Sequence, residues 1–272
     1  RMDRALLDMS PEDLLEQADG VLSEVKSLDE RAVVTGGGVG VSVTAGCLMN
    51  SEGVLSSGMT TSHGIGLQVT LDNDGELTSS YQGQSSRSKL AEVPACVSRA
   101  VHWAQVTQNP LRLDSDAHDA PVLLTSEGFS PLFSMVVPPA MTGEKMVRNE
   151  SFWSEKMNTQ VINPSLSIHD DGLLEGGMSS GSRDGEGVPR RQQALVEDGR
   201  LTSMLWSTRD AAQQVAEGRI DGAQSTGSAT SGGHQSPPST GCTELFLTST
   251  QPAQSTDCLL YTSPSPRDNS GS

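Results

Sequence analysis

Residues 32–75 decide the fold of the first half of this sequence, and they read AVVTGGGVGVSVTAGCLMNSEGVLSSGMTTSHGIGLQVTLDNDG. Short β-branched runs alternate here with glycines, and residues 50–53 and 72–75 combine polar side chains with a final glycine, which favours tight turns. The pattern predicts an antiparallel meander. Its strands are expected at residues 32–34, 39–44, 53–55 and 64–71, with a further strand at 75–81.

Helices are predicted on both sides of this meander. Ser10 can cap a helix that starts at Pro11, and apolar residues then recur at helical spacing as far as Val25. This predicts an amphipathic helix over residues 11–27 that packs on the sheet. A second helix is predicted over residues 95–107, because its apolar residues share one face and Asn109-Pro110 ends it.

The second half has weaker and shorter patterns. Strands are predicted at residues 121–125, 165–169 and 244–249, and two short strands flank a turn at Asp198-Gly199. Helices are predicted at 130–137, interrupted by Pro138-Pro139, and at 208–215, with Gly218 following the helix end. Residues 170–172 are predicted as a turn, and residues 176–187 and 222–241 as long polar loops.

These elements predict an α+β fold. Residues 1–113 are expected to form a central domain of helices on an antiparallel sheet, and residues 121–257 a β-rich C-terminal domain, with a polar linker at 114–120. Residues 258–272 match one reading frame of a common sequencing adaptor, so we expect them to be an artefact. We also expect the chain to be a fragment whose exposed sheet edges and apolar surface favour aggregation.

Composition argues against several classes of function. The 272 residues include 34 acidic and 18 basic side chains, which gives a net charge of −16 without a basic cluster, so nucleic acid is a disfavoured partner. No apolar run approaches the ~20 residues that cross a bilayer, so no membrane partner is expected. Cys47, Cys96, Cys242 and Cys258 are scattered, which disfavours a disulfide framework and predicts a cytoplasmic protein.

Common catalytic motifs are missing from the sequence. The glycines at 36–40 lack the spacing of a nucleotide-binding loop and are interpreted as part of a strand. The five histidines are too far apart for one helix to present two of them to zinc, and no Gly-x-Ser-x-Gly elbow is present. We therefore assign no catalytic and no metal-binding residue to this chain.

The most distinctive segment is residues 184–191, in which two carboxylates and two arginines surround glycines. The residue types allow two interpretations, a structural turn with internal ion pairs or a catalytic carboxylate pair. We favour the structural turn.

This loop also resembles a known family signature. Asp184, Glu186, Gly187, Pro189 and Arg190 are similar to the Asp-Asp-Glu-Gly-Val-Pro motif of the TldD/PmbA (TldE) metalloprotease family, although Gly185 replaces the middle acid. Asn50, Ser51 and Gly53 resemble the Asn-Ser-x-Gly turn of that family, and residues 121–127 and 225–229 resemble two further segments. The resemblance covers residues 8–250 in the order of the family.

The resemblance implies a cytosolic protease made of two related subunits. The TldD-type subunit holds zinc on a His-Glu-x-x-x-His helix, whereas the TldE/PmbA type lacks that motif and pairs with the first. We expect this chain to be of the TldE/PmbA type, with zinc in its TldD-type partner and unfolded peptide as substrate, in a heterodimer or larger oligomer. Two alternatives are a TldD-type subunit whose catalytic helix is missing from this fragment and a stand-alone peptide-binding scaffold.

Overall fold

The computed structural model describes residues 2–90, 93–110, 122–230 and 235–252. The chain divides into two compact units, the first formed by residues up to 110 together with 175–178, and the second by the other described residues. Each unit has its own core of buried apolar side chains. The predicted linker at 114–120 and the predicted artefact at 258–272 lie outside the described residues.

The first unit is a three-stranded antiparallel sheet with helices. Its elements are α1 (Arg4–Leu7), α2 (Pro11–Leu28), β1 (Ala32–Met49), β2 (Leu55–Asn73), β3 (Glu76–Ser86) and α3 (Val93–Val106), and the strand order is β1-β2-β3. The start of α2 is fixed locally, because Ser10 and Asp13 form a reciprocal capping box and Pro11 occupies the first helical position.

The strands of this sheet are longer than predicted. The separate runs at 32–34 and 39–44 belong to one strand, β1, which pairs with β2 from Ala32 opposite Leu71 to Met49 opposite Leu55. The glycines do not end the strands, because the backbone supplies the ladder hydrogen bonds whatever the side chain. At Gly37, with φ of 122°, a Cβ would lie 2.1 Å from the carbonyl oxygen of Gly66, so glycine is required.

The core of the first unit lies between one sheet face and the helices. Alternate residues of β2, namely Ile65, Leu67, Val69 and Leu71, are buried against α2 and α3. The predicted apolar face of α3 is buried along its whole length at Cys96, Val97, Ala100, Val101 and Ala104. Burial of each large aliphatic side chain contributes about 1.5–3 kcal/mol, so this core between the sheet and the helices is the main source of stability for the unit.

The second unit combines helices with two further antiparallel sheets. Its elements are α4 (Ser126–Ala140), α5 (Gly143–Val147), β4 (Leu166–Asp171), β5 (Gln192–Glu197), β6 (Arg200–Leu201), α6 (Thr208–Ala216), β7 (Ala229–Thr230), β8 (Ser239–Thr240) and β9 (Leu245–Ser249). The larger sheet has the order β6-β5-β4-β9, and β7 pairs with β8. The predicted turn at Asp198-Gly199 connects β5 to β6, with both residues at positive φ.

Several predictions for this unit are wrong. Residues 122–125 form no strand, and Thr125 instead caps α4 by accepting a hydrogen bond from the backbone of Gly128. That helix continues through Pro138-Pro139 and ends directly after them at Ala140, although each proline removes a backbone hydrogen bond to the preceding turn. Residues 170 and 171 lie in β4 rather than in a turn.

The predicted exposed loop at 222–241 is also wrong in part. It contains β7 and β8, and Ser228 and Ala229 are buried. Its polar composition conceals this burial because the backbone of these residues, rather than apolar side chains, makes the contacts. The predicted α+β class itself is confirmed, since both units combine helices with antiparallel sheets.

Candidate functional site

The signature loop, defined as residues 184–190, is folded around the carboxylate of Asp184. This side chain is only 3% exposed, and its Oδ1 accepts hydrogen bonds from the backbone N–H groups of Glu186 (3.0 Å) and Val188 (2.9 Å). The backbone N–H of Asp184 also donates to the carbonyl of Val188 at 2.8 Å, and Gly187 adopts a φ of 87°. Asp184 therefore holds the loop closed on itself.

Asp184 also joins the loop to a segment 45 residues later. Its Oδ2 accepts the backbone N–H of Ala229 at 3.0 Å, and the N–H of Gly185 donates to the carbonyl of Ala229 at 2.9 Å. Gly227, with φ of 73°, approaches the loop so closely that a Cβ would lie 2.4 Å from the carbonyl oxygen of Pro189. Both carboxylate oxygens of Asp184 thus bind backbone donors.

The second carboxylate of the loop, Glu186, binds the start of α6. Its two oxygens accept the backbone N–H groups of Thr208 at 2.6 Å and Arg209 at 3.0 Å. The hydroxyl of Ser207, the N-cap residue, accepts a third backbone N–H, that of Asp210, at 3.0 Å. A negative charge is favourable here because the free N–H groups give a helix N-terminus a partial positive charge. Glu186 therefore acts as a helix cap supplied from outside the helix.

The arginines around the loop bind carbonyl and hydroxyl oxygens rather than its carboxylates. Arg183 donates to the carbonyl of Gly187 at 2.7 Å, and Arg190 donates to the carbonyl of Arg183 at 3.1 Å and to the hydroxyl of Thr243. Arg191 donates to the carbonyl of Thr226 at 3.0 Å. No ion pair lies within this loop in the described part of the chain, so the predicted internal ion pairs are wrong.

Asp170 is a buried carboxylate that the sequence analysis missed as a site residue. It is 1% exposed, and its Oδ1 accepts the backbone N–H groups of Thr243 at 2.7 Å and Glu244 at 2.9 Å. Burial raises the pKa of Asp170, although these hydrogen bonds and the charge of Arg190 oppose the shift. The period-two pattern of Ile168 and Asp170 on β4 was the available signal, because it places both on the buried face.

Cys242 lies close to this carboxylate. Burial, together with the negative charge of Asp170, raises the pKa of the Cys242 thiol to about 12. The thiolate is the reactive form of cysteine, so this residue stays protonated and unreactive at neutral pH. Cys242 is therefore a packing residue of the second unit.

The turn motif Asn50, Ser51 and Gly53 lies in the first unit, at the end of the β1–β2 hairpin. Oδ1 of Asn50 accepts the backbone N–H groups of Glu52 and Val54, both at 3.0 Å, and Gly53 has a φ of 82°. These bonds are local, and the motif is exposed. Asn50 therefore closes a turn, and the two family motifs lie in different units.

His63 is the histidine with the most defined surroundings in the first unit. It is fully buried, its Nε2 contacts Oε1 of Gln17 at 2.9 Å, and its Nδ1 accepts the backbone N–H of Leu90 at 3.0 Å. These partners fix the neutral tautomer with the proton on Nε2. Burial, and secondarily Lys89, lowers the pKa of His63. Both ring nitrogens are engaged in structural contacts.

The described residues do not fit a zinc ion. Across 2–90, 93–110, 122–230 and 235–252, no group of three or more His, Cys, Asp or Glu side chains is placed to hold a metal. His118 and His234 lie outside these ranges. Among the helices of the same residues, none combines the length and the apolar character needed to span a membrane.

Comparison with known proteins connects this architecture to a family. Residues 117–261, just over half of the chain, match the family model described as the PmbA/TldA metallopeptidase C-terminal domain. An uncharacterised protein of Methanocaldococcus jannaschii is 27% identical over 91% of this chain and 55% of its own length. A metalloprotease TldD homologue of Haemophilus influenzae is 27% identical over 66% of this chain and 38% of its own length.

The crystal structure of TldE from Thermococcus kodakarensis has the same fold. It superposes with a TM-score of 0.81 at 21% identity, covering 96% of this chain and 57% of that protein. The chain thus spans between 38% and 57% of the length of these three relatives. With the matched C-terminal domain and the shared fold, this chain belongs to the PmbA/TldD metallopeptidase family.

Proposed function

We propose that this chain is part of a TldE/PmbA-type subunit, which carries no zinc and pairs with a zinc-bearing TldD-type subunit in a cytoplasmic complex that degrades or processes peptides. In this proposal the chain shapes the site that receives unfolded peptide, and the zinc chemistry belongs to the partner.

The observation that carries the proposal is the full engagement of the signature-loop carboxylates. A general acid or base must reach the reacting group of the substrate with a free oxygen or proton. The oxygens of Asp184 bind the backbone of Glu186, Val188 and Ala229, and those of Glu186 bind the start of α6. This arrangement supports a structural role for the loop, in which it joins three separate segments of the second unit.

A second candidate is a TldD-type subunit whose zinc-binding helix lies outside the present chain. The likeness to the Haemophilus influenzae TldD homologue favours this candidate. It predicts that the complete gene product binds zinc by itself.

The decisive experiment compares three samples: the complete gene product, a TldD-type subunit from the same source, and both co-expressed. We expect cleavage of an unfolded peptide and one bound zinc per heterodimer only when the TldD-type subunit is present, measured by fluorogenic peptide assay and metal analysis. Stoichiometric zinc and cleavage in the complete gene product alone would show it to be the TldD-type subunit. Tight peptide binding without complex formation would instead indicate a stand-alone scaffold.

A paired set of variants tests the role of the loop in that complex. In Glu186→Gln we expect less assembled complex but an unchanged cleavage rate per bound zinc, because the side chain supports α6 rather than the reaction. Glu197→Gln, at an exposed position of β5, serves as the matched control. A large fall in rate per zinc with normal assembly would assign Glu186 a catalytic role and overturn the proposal.

A further inference from the structure

A cavity of about 390 Å³ opens in the second unit, between the end of α4, α5, the start of α6 and β8. Its volume falls within the range of about 300–1,000 Å³ that is typical of small-molecule sites in proteins. All of its lining residues belong to the second unit, and none of them is a residue of the signature loop. The cavity is therefore a separate place at which a ligand could bind.

Asp210 is a buried carboxylate in the wall of this cavity. Only 4% of the residue is exposed, and its Oδ2 accepts a hydrogen bond from the hydroxyl of Thr240 at 2.6 Å. Among the residues that the structure describes, none donates to its Oδ1. A buried anionic oxygen without a donor is costly, so Asp210 favours a ligand that brings an ammonium group into the cavity.

A second polar side chain on the same face of α6 also lacks partners. Gln214 follows Asp210 by four residues, about one helical turn, so the two lie on one face of the helix. Gln214 is fully buried, and in the described part of the chain neither its amide nitrogen nor its amide oxygen has a hydrogen-bond partner. Buried polar atoms in proteins are normally paired, so this face of α6 suits a polar occupant.

Two cationic side chains line the same cavity, Lys145 of α5 and Arg209 of α6. Over the described ranges neither of them forms an ion pair, and Arg209 donates only to the carbonyl of Pro238, at 3.4 Å. Glu144, the other acidic residue of the wall, is already paired with Arg148 at 3.1 Å. The two cations are therefore available to the carboxylate of a ligand.

This mixture of charges restricts the class of ligand. A simple anion such as phosphate would meet the carboxylate of Asp210, and a metal ion would meet the cations of Lys145 and Arg209. A small molecule with both an ammonium and a carboxylate group satisfies both kinds of charge. The hydroxyls of Ser134 and Ser239, also in the wall, can donate further hydrogen bonds to its carboxylate.

We propose that this cavity binds a free α-amino acid, with its ammonium group on Asp210 and its carboxylate on Lys145 and Arg209. The proposal is independent of the proposed peptidase role, because it rests on the cavity alone.

The test screens the complete gene product against each of the common L-amino acids by thermal shift, followed by isothermal titration calorimetry of those that raise the melting temperature. We expect at least one to bind at one site per chain with a Kd below about 1 mM. Its N-acetylated form lacks the ammonium group and its amidated form lacks the carboxylate. Each should therefore bind at least ~10-fold more weakly.

Variants assign the two charged groups of the ligand to the cavity. Lys145→Gln should weaken binding of the free amino acid at least ~10-fold and reduce the discrimination against the amidated form. Asp210→Asn should instead reduce the discrimination against the N-acetylated form. Lys156→Gln, at an exposed position of the same unit outside the cavity, is the matched control and should change the Kd less than ~3-fold. If Asp210→Asn does not fold, Lys145→Gln at its partly exposed position still decides the outcome.

Three results would overturn the proposal. One is the absence of binding by every amino acid up to about 10 mM, a concentration well above the expected Kd. Another is an equal effect of Lys145→Gln and Lys156→Gln on binding. The third is tighter binding of inorganic phosphate than of any amino acid, measured in the same calorimeter and lost in Lys145→Gln, which would assign the cavity to a simple anion.

Discussion

The signature loop of the second unit and the turn motif of the first unit both carry the family resemblance, but their surroundings differ. The loop binds residues 208, 209 and 229, which lie far along the chain, and Asp184 is buried. The turn binds only its own neighbours and is exposed. One motif therefore joins distant segments of a core, whereas the other only sets the geometry of a hairpin end.

The largest expected effect is that of Asp184→Ala. Three backbone N–H groups lose their acceptor in a buried environment, and each unsatisfied donor costs about 1–3 kcal/mol. We expect the second unit to lose at least about 3 kcal/mol of stability, measured by urea unfolding and by hydrogen exchange of its peptides. Asp221→Ala, at an exposed position in the same unit, should have little effect. Equal loss in both variants would show that the buried hydrogen bonds of Asp184 are not the cause of the lost stability.

The next effect is that of Gly227→Ala. A Cβ at this position would collide with the carbonyl oxygen of Pro189 at 2.4 Å, and φ is 73°. We expect a loss of about 2–3 kcal/mol, since an alanine in this backbone region is strained and the loop must move. Gly222→Ala is the matched control, because no atom lies within 4 Å of its Cβ position. A normal melting temperature for Gly227→Ala would show that the contact with the loop is not rigid.

A smaller effect is expected in the pH dependence of stability, which should differ between the two units. The pKa of His63 is lowered in the folded state, so its contribution to stability is complete above its ordinary pKa of 6.5 and is lost as the pH falls below it. The pKa of Asp170 is raised, so its contribution is complete below 3.8 and is lost as the pH rises through the folded value. Acidification below pH 6.5 should therefore weaken the first unit through His63, whereas the buried charge of Asp170 is relieved only as the pH falls through the raised pKa of its carboxyl group.

Hydrogen exchange at several pH values, resolved by peptide, measures both responses in one sample. His63→Gln should flatten the pH response of the first unit, whereas His102→Gln, at an exposed position, should leave it unchanged. Asp170→Asn should flatten the opposing response of the second unit. If His63→Gln leaves the acid sensitivity of the first unit intact, another group is responsible for it.

The smallest effect is expected at the turn motif. Gly53→Ala places an alanine at a φ of 82° without any steric contact, so we expect a local cost of about 1 kcal/mol. Ser51→Ala, in the same turn, should be neutral because its side chain is exposed. Exchange should increase only near residues 49–55. A change in the second unit would contradict the local character of this motif.

The parts of the fold that follow from neighbouring residues were predictable from the sequence. The capping box at Ser10 starts α2, and the turns at 50–53, 72–75 and 198–199 connect paired strands. In each case the residues that specify the geometry lie within about four positions of one another. The strand predicted at 121–125 is absent from residues 122–125, the part that the structure describes. A short apolar run does not distinguish a strand from the segment that precedes a helix.

The organisation of the candidate site could not be predicted in the same way. The residues of the signature loop were identified through their likeness to the family, but their roles depend on contacts with Thr208 and Ala229. Local charge suggested ion pairs, whereas the arginines bind carbonyl groups that only the folded chain brings near. Asp170 was missed because two adjacent aspartates before a glycine are typical of a turn.

Asp184 binds a residue 45 positions later in the chain, so its loop can close only late in protein synthesis. The helices and strands that form the core of the first unit are complete by Val106, so this sheet can fold as soon as they leave the ribosome. The signature loop cannot close until Ala229 has emerged. Asp170 likewise lacks its backbone donor until Thr243 has emerged. The 45 residues that separate Asp184 from Ala229 take roughly 2–9 seconds to synthesise at roughly 5–20 residues per second. During that time the carboxylate of Asp184 lacks its partner at Ala229, and the second unit is the vulnerable part of the nascent chain.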